Sequence, residues 1–356
     1  LLAVAHRSSL SPTPQPRILI ARLSAIGDVL HGLPVLCALR EAFPQAFIGW
    51  VVEGVSAQLL RNHPALDELI AVPRKWLKSP NTVLNLRRQL RALKFDVAID
   101  MQGLTKSAVA ARMSGARVRI GYDGHDGREL SRWLNNTLVT ASGTHVIDRN
   151  LELLKPLGIA MPRVEYRLND TPQDVATAQA MLAERHLHDR FAVINPGAGW
   201  PSKVWPADRY AAVAHWLGKQ HGMRSLVVWA GDQERAWAEQ IVAGSGGFGV
   251  LAPKTSLREL AAVTRQAALF VGSDTGPLHL AVAVGTPSVG MFGPMPAERN
   301  GPYGPLHVPV QKMCLTGTSR DRRGAGPESM EAIAIDDCCA ACEQILARPQ
   351  QLRRPA

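Results

Sequence analysis

Residues 18–43 read ILIARLSAIGDVLHGLPVLCALREAF, and the fold class turns on how that stretch divides. The run ILIARL (18–23) is apolar enough for a buried strand. From Val29 onward the apolar positions Val29, Leu30, Leu33, Leu36 and Leu39 recur at helical spacing. Between the two lies a short turn ending in Gly27 and Asp28, so the stretch reads as strand, turn, helix. Asp28 falls near the first turn of that helix. A carboxylate there can cap the helix and suit its positive dipole end. It can also face a ligand, because open α/β sheets bind ligands at the carboxyl ends of their strands. Both readings stay open on position alone.

The same alternation continues along the chain. Further strand candidates are 47–52, 95–100, 191–195, 225–229, 268–272 and 288–292. Helical periodicity covers 83–94, 105–113, 146–155, 173–186, 207–220, 233–243 and 256–266. Strands alternating with helices imply parallel sheets built from βαβ units. Periodicity lapses at 160–172, where MPRVEYRLNDTP carries two prolines and reads as a linker. The expectation is therefore an α/β protein of two doubly wound domains, 17–165 and 173–347, with a cleft between them. Residues 1–16, rich in Ser and Pro, are expected to form a flexible extension.

Composition narrows the function classes. A chain of 356 residues with 46% hydrophobic and 20% charged residues has the make-up of a packed globular protein. No run of about 18 apolar residues occurs, so no membrane-spanning helix is expected. Lys and Arg outnumber Asp and Glu by 40 to 30, and the surplus of +10 favours anionic partners: phosphates or an anionic membrane surface. Nucleic acid is not expected, because no zinc finger or RNA-binding signature accompanies the basic clusters Arg87, Arg88, Arg91, Lys94 and Arg117, Arg119, Arg128, Arg132. Five cysteines do not make a disulfide framework in a chain of this length. Cys339 and Cys342 form a lone CxxC with no second pair at zinc-site spacing, and one helical turn explains them as packing residues rather than metal ligands.

Two Gly-rich loops carry the chemistry. In VGSDTGPLHLAVAVGTPSVGMFGP (271–294) a strand ends at Ser273 and a helix opens near Pro277, a residue at home in a first helical turn. Asp274, Thr275 and Gly276 thus sit at a helix N-terminus, where the dipole favours a phosphate, with His279 one turn on. The second loop, NPGAGWPSKVWP (195–206), follows the strand FAVIN and places Lys203 after its glycines, as a point charge for a diphosphate. It lacks the G-K-[ST] ending of a P-loop. GSGGFG (244–249) matches a dinucleotide fingerprint literally, but a helix precedes it and a strand-like VLAP follows, so it reads as a loop. The chain has no D-x-D, H-E-x-x-H or G-x-S-x-G.

Taken in order, Gly27-Asp28 with VLHGLP, then GAGWPSKVWP, then SDTGPLHLAVAVGTPSVGMFGP resemble glycosyltransferase family 9, the ADP-heptose:lipopolysaccharide heptosyltransferases. The resemblance spans about residues 17–347. It implies a GT-B fold of two Rossmann-like domains and an inverting transfer of heptose from ADP-heptose to the inner core of lipopolysaccharide. No metal or other cofactor is implied, and the enzyme would work in the cytoplasm at the inner membrane. Another nucleotide sugar, or a protein or other glycan acceptor, is the alternative within the family. By motif, Asp28 corresponds to the catalytic base and Lys203 to a catalytic contact on the diphosphate. Gly199, Lys203, Asp274, Thr275, Gly276 and His279 correspond to the donor site. Glu234 is placed at the ribose on a looser match, and Thr255 against the adenine. Arg117, Arg119 and Arg128 are expected to meet the anionic acceptor. Cys338, Cys339 and Cys342 have no counterpart in these motifs.

Overall fold

In the computed structural model, which describes residues 15–187 and 190–348, the run 18–23 supplies strand β1 (Arg17–Ala21). Residues 1–14 of the expected extension lie outside the described residues. β1 is flanked by β2 (Phe47–Glu53) and β4 (Val97–Asp100), both parallel to it, with Ile20 opposite Trp50 on one side and Ile99 on the other. With β3 (Glu68–Val72), β5 (Val118–Tyr122) and β6 (Thr137–Val139) the sheet runs β3-β2-β1-β4-β5-β6, every pairing parallel.

The second half repeats this plan. Its strands are β7 (Phe191–Asn195), β8 (Arg224–Val227), β9 (Gly249–Leu251), β10 (Leu269–Ser273), β11 (Ser288–Phe292) and β12 (Val308–Gln311). Their order, β12-β11-β10-β7-β8-β9, is again all parallel. The chain divides into two compact units between Arg167 and Leu168, within the 160–172 stretch. Both sheets are doubly wound, Rossmann-like layers.

The apolar runs explain which strands sit centrally. Parallel strands covered by helices on both faces need near-continuous hydrophobic sequence. β4, β7, β10 and β11 are buried at every position, and β1 at all but its first. The strands that periodicity does not pick out are β3, β5, β6 and β12. Three of them lie at sheet edges, where exposed or charged positions interrupt the pattern, and β12 carries Pro309, which an edge strand tolerates. VLAP does supply β9, and the helix Gly231–Gly244 precedes it, so GSGGFG lies at a helix end and not in a nucleotide fingerprint.

One consequence positions the site. In each sheet the strand order reverses at one point, between β1 and β4 and between β7 and β10. Loops leaving neighbouring strands on opposite sides open a crevice there, and that is where such sheets hold ligands. The quoted motifs follow three of those four strands.

Candidate active site

At the first switch point, β1 runs into Arg22–Ala25 and then the helix Ile26–Leu30. Asp28 does cap this helix: its Oδ2 accepts the Ala25 N–H at 3.0 Å. Its Oδ1 pairs with Arg22 Nη2 at 2.6 Å, and the Asp28 side chain keeps 44% exposure against 8% for Arg22. The carboxylate is thus anchored from inside and open on its outer face. Arg22 also donates to the Met101 carbonyl just past β4. Gln102 completes the brace. Its Oε1 accepts the Leu23 N–H at 3.0 Å and its Nε2 donates to the Ser24 carbonyl at 3.2 Å. Asp100, wholly buried at the end of β4, accepts the N–H groups of Gln102 and Gly103 at 3.1 and 3.0 Å. Burial pushes its pKa up against the pull of these hydrogen bonds.

Beside this turn lies a pocket of about 440 Å³ lined by Ser24, Glu53, Arg74, Lys75, Trp76 and Lys106, among others. Lys106 Nζ donates to Ser24 Oγ at 2.9 Å and pairs with Glu53 at 3.0 Å. Lys75 holds a left-handed backbone at φ 61°, a conformation uncommon outside glycine. Sequence reading did not single out these cations. The three arginines it chose are not brought together. Arg117 precedes β5, at the amino edge of the sheet, and is exposed. Arg119 is spent on structure, donating to the carbonyls of Leu134 and Ala116 at 2.8 and 2.9 Å. Only Arg128 reaches a switch-point loop, through its backbone N–H to Gly103 O at 3.0 Å and its guanidinium toward Gln102 O at 3.4 Å.

At the second switch point, β7 ends in buried Asn195, whose Nδ2 donates to Gly197 O and to Thr275 Oγ1, each at 3.3 Å. One amide thus ties the loop after β7 to the loop after β10, much as Gln102 ties β4 to β1. Gly197 lets the Glu234 carboxylate approach closely: a Cβ there would lie 2.6 Å from it and push that side chain aside. Glu234 folds back to accept the Ala230 N–H at 2.8 Å at the start of its own helix. Burial raises its pKa, only partly offset by that bond. Gly199 is exposed with open space around it, and Thr255 is half-buried in the loop after β9.

Lys203 ends a short helical turn, Pro201–Lys203, and its Nζ meets Asp274 Oδ2 at 2.5 Å. His279 Nε2 lies 3.2 Å from the other oxygen. Burial of Asp274 alone would raise its pKa; the His279 hydrogen bond and the Lys203 charge outweigh it and hold the carboxyl below its ordinary value. Thr275 donates to Ser273 O at 3.2 Å, and no side chain caps the helix Gly276–Ala283 that follows. An ammonium is therefore paired to the loop that leads into an uncapped helix N-terminus, a setting that suits a diphosphate.

A family model for glycosyltransferase family 9 (heptosyltransferase) matches residues 83–322. The chain belongs to glycosyltransferase family 9. Among relatives, it is 31% identical to lipopolysaccharide heptosyltransferase 1 of Pseudomonas aeruginosa over 301 residues, 82% of each chain. It is 32% identical to lipopolysaccharide heptosyltransferase 1 of Salmonella typhimurium, over 81% of this chain and 92% of the relative. Among solved structures, Escherichia coli heptosyltransferase WaaC with ADP superposes with a TM-score of 0.74 at 28% identity, over 92% of this chain and 99% of that one. The chain is thus a glycosyltransferase with the two Rossmann-like domains of the GT-B class.

Within this family 9 enzyme, Lys203, Asp274 and His279 fall inside the matched residues and Asp28 falls ahead of them. Sequence reading missed Gln102 and Asn195, because an amide that bridges loops about 80 residues apart leaves no local pattern. The cysteines of the helix Ile335–Leu346 are packing residues. Cys338 and Cys342 are fully buried in the core under the second sheet with Trp205, Tyr210 and Met330, and burial pushes the Cys339 thiol up to about 12. Among the described residues no group of three or more His, Cys, Asp or Glu is placed to hold a metal ion, and no helix is long and apolar enough to cross a membrane.

Proposed function

We propose that this family 9 glycosyltransferase moves heptose from ADP-heptose to an inner-core sugar of lipopolysaccharide, with inversion and without a metal. The single observation that carries the donor half is Lys203, held by Asp274 beside the uncapped start of Gly276–Ala283. The relatives' printed names support the heptose and the lipopolysaccharide, and the E. coli structure was solved with ADP. The loops after β10, β7, β8 and β9 stand in a row about 4.8 Å apart per strand. In this reading Asp274, Lys203, Glu234 and Thr255 follow the nucleotide from diphosphate through ribose to adenine.

The chemistry follows from the two switch points. Asp28 accepts the proton of an acceptor hydroxyl as its oxygen bonds to the anomeric carbon. The bond from that carbon to the distal phosphate oxygen breaks, and the electron pair leaves with ADP. Lys203 and the helix N-terminus meet the charge gathering there, in place before the reaction starts. The pocket with Arg74, Lys75 and Lys106 suits an acceptor bearing carboxylate or phosphate, with Arg128 nearby; Arg117 and Arg119 are left to structure and solvent. A +10 chain would also be drawn to an anionic membrane surface, placing the enzyme peripherally at the cytoplasmic face of the inner membrane.

The test is acceptor-dependent ADP release. ADP-heptose with a lipopolysaccharide inner-core acceptor should release ADP and add one heptose to the acceptor, and EDTA should not stop it. Transfer from a different sugar nucleotide in preference to ADP-heptose would overturn the donor assignment. Loss in EDTA restored by Mg²⁺ would overturn the metal-free account of the leaving group.

A further inference from the structure

We propose that Arg323 is a second cationic contact for the donor's diphosphate, presented beside Lys203 on the ring of Trp200; this rests on the donor-site reading of Lys203. Lys203 Nζ lies 4.4 Å from the Trp200 ring centroid and the Arg323 guanidinium carbon 4.9 Å from the same centroid. One aromatic ring thus holds two cations in one neighbourhood, each drawn by its π face.

Charge bookkeeping calls for the second cation. Lys203 and Asp274 form a buried pair that is formally neutral, and His279 is hydrogen-bonded to the same carboxylate. A nucleoside diphosphate brings at least two negative charges. A helix N-terminus offers the equivalent of about half a positive charge. Arg323 is exposed, and among the described residues it has no acidic partner. A guanidinium also offers the planar fork of donors that matches phosphate oxygens.

The segment carrying Arg323 is built and anchored. Thr318 and Asp321 cap the helix Ser319–Gly324 reciprocally, the Asp321 carboxylate accepting the Thr318 N–H at 2.7 Å and Thr318 Oγ1 accepting the Asp321 N–H at 3.3 Å. Ser202, next to Lys203, donates to the Arg322 carbonyl at 2.8 Å. The Arg322 side chain turns inward to the Leu315 carbonyl at 2.9 Å, leaving its neighbour as the outward cation. The family match ends at residue 322, one residue short of Arg323.

Calorimetric titration of the full chain with ADP and AMP at fixed ionic strength tests the proposal, with thermal melts confirming that each variant folds. Arg323→Ala should weaken ADP about tenfold and AMP much less, as loss of one charge-assisted contact to the outer phosphate predicts. Arg323→Lys should recover part of the loss, and Trp200→Leu should reproduce it by removing the shelf. Wild-type ADP affinity in Arg323→Ala, while Lys203→Ala binds ADP more weakly, would overturn the role of Arg323 and leave the donor site standing. Equal weakening of ADP and AMP would likewise overturn a contact to the diphosphate. Unchanged ADP binding in Lys203→Ala as well would remove the donor-site reading and this proposal together.

Discussion

At Asp28, one carboxylate oxygen accepts the Ala25 N–H and the other pairs with Arg22, yet nearly half of the side chain stays exposed. The pairing to Arg22 holds the carboxylate in place without closing its outer face, which leaves an oxygen accessible to a base's partner. Asparagine separates the two jobs, because its Oδ1 can still accept the Ala25 N–H but cannot take a proton. Asp28→Asn should therefore cut transfer by roughly 10²–10⁴, with ADP affinity near wild type and a modestly lower melting temperature, because its Nδ2 would face Arg22 Nη2 where an oxygen now accepts. Asp28→Ala should lose the same activity and also about 1 kcal/mol of helix capping. Turnover of the Asn variant at the wild-type rate would leave Asp28 as a cap alone. Much of this scale was legible in the sequence: Asp28, Lys203 and Asp274 each stand at a strand-to-helix turn that periodicity locates, with His279 one turn into the helix that follows. The basic acceptor side was not. Arg119 looks like any surface arginine in sequence, and only the fold shows its guanidinium committed to the Leu134 and Ala116 carbonyls.

Each switch point is two elements held by one amide, Gln102 between β4 and β1, Asn195 between β7 and β10. Buried Asn195 presents Nδ2 to two oxygens, Gly197 O and Thr275 Oγ1. Asn195→Asp keeps the shape but replaces that donor with an acceptor facing the Gly197 carbonyl. Leaving a buried polar group unsatisfied costs about 1–3 kcal/mol. The variant should melt several degrees lower and show a raised KM for the nucleotide sugar, since the two donor loops lose their tie. An unaltered donor KM would mean that the loops hold their places without Asn195. Elements were legible where helices bury a strand on both faces, as for β1, β7 and β10. They were not where a strand runs at an edge: β3 begins with Glu68 and alternates in exposure, β6 has three residues, and β12 includes Pro309. Edge strands carry polar positions because one flank is open, so their apolar signal is thin.

Over the whole molecule, buried histidines make stability depend on acid. Burial lowers the pKa of His307 from 6.5 to about 4, with Arg348 adding to the effect. Burial also lowers that of His63, whose Nδ1 accepts the Ala65 N–H at 3.2 Å while its Nε2 donates to Tyr166 O at 2.8 Å. His307 is therefore neutral in the fold while the unfolded chain takes up protons below about pH 6.5, and His63 shifts in the same direction. Stability is intact above that value and falls as pH drops toward 4, by roughly 1.4 kcal/mol per unit for His307. Asp274 acts only lower still: its depressed pKa contributes stability that is lost as pH falls below the ordinary carboxylate value. Thermal melts from pH 7.5 to 5 should show a declining midpoint, and His307→Leu should flatten the decline; a variant with the wild-type slope would assign the acid sensitivity elsewhere. The doubly wound plan was legible from the alternation of runs, whereas such long-range burial of single histidines was not, since nothing local marks it. At this scale the proposed reaction is a single displacement in which Asp28 takes the proton and the Lys203 site takes the leaving ADP. The most direct measurement is the anomeric configuration of the heptose transferred from ADP-heptose, read by NMR on the product. The configuration should be inverted relative to the donor; a retained configuration, or no heptose on the acceptor, would overturn the single displacement.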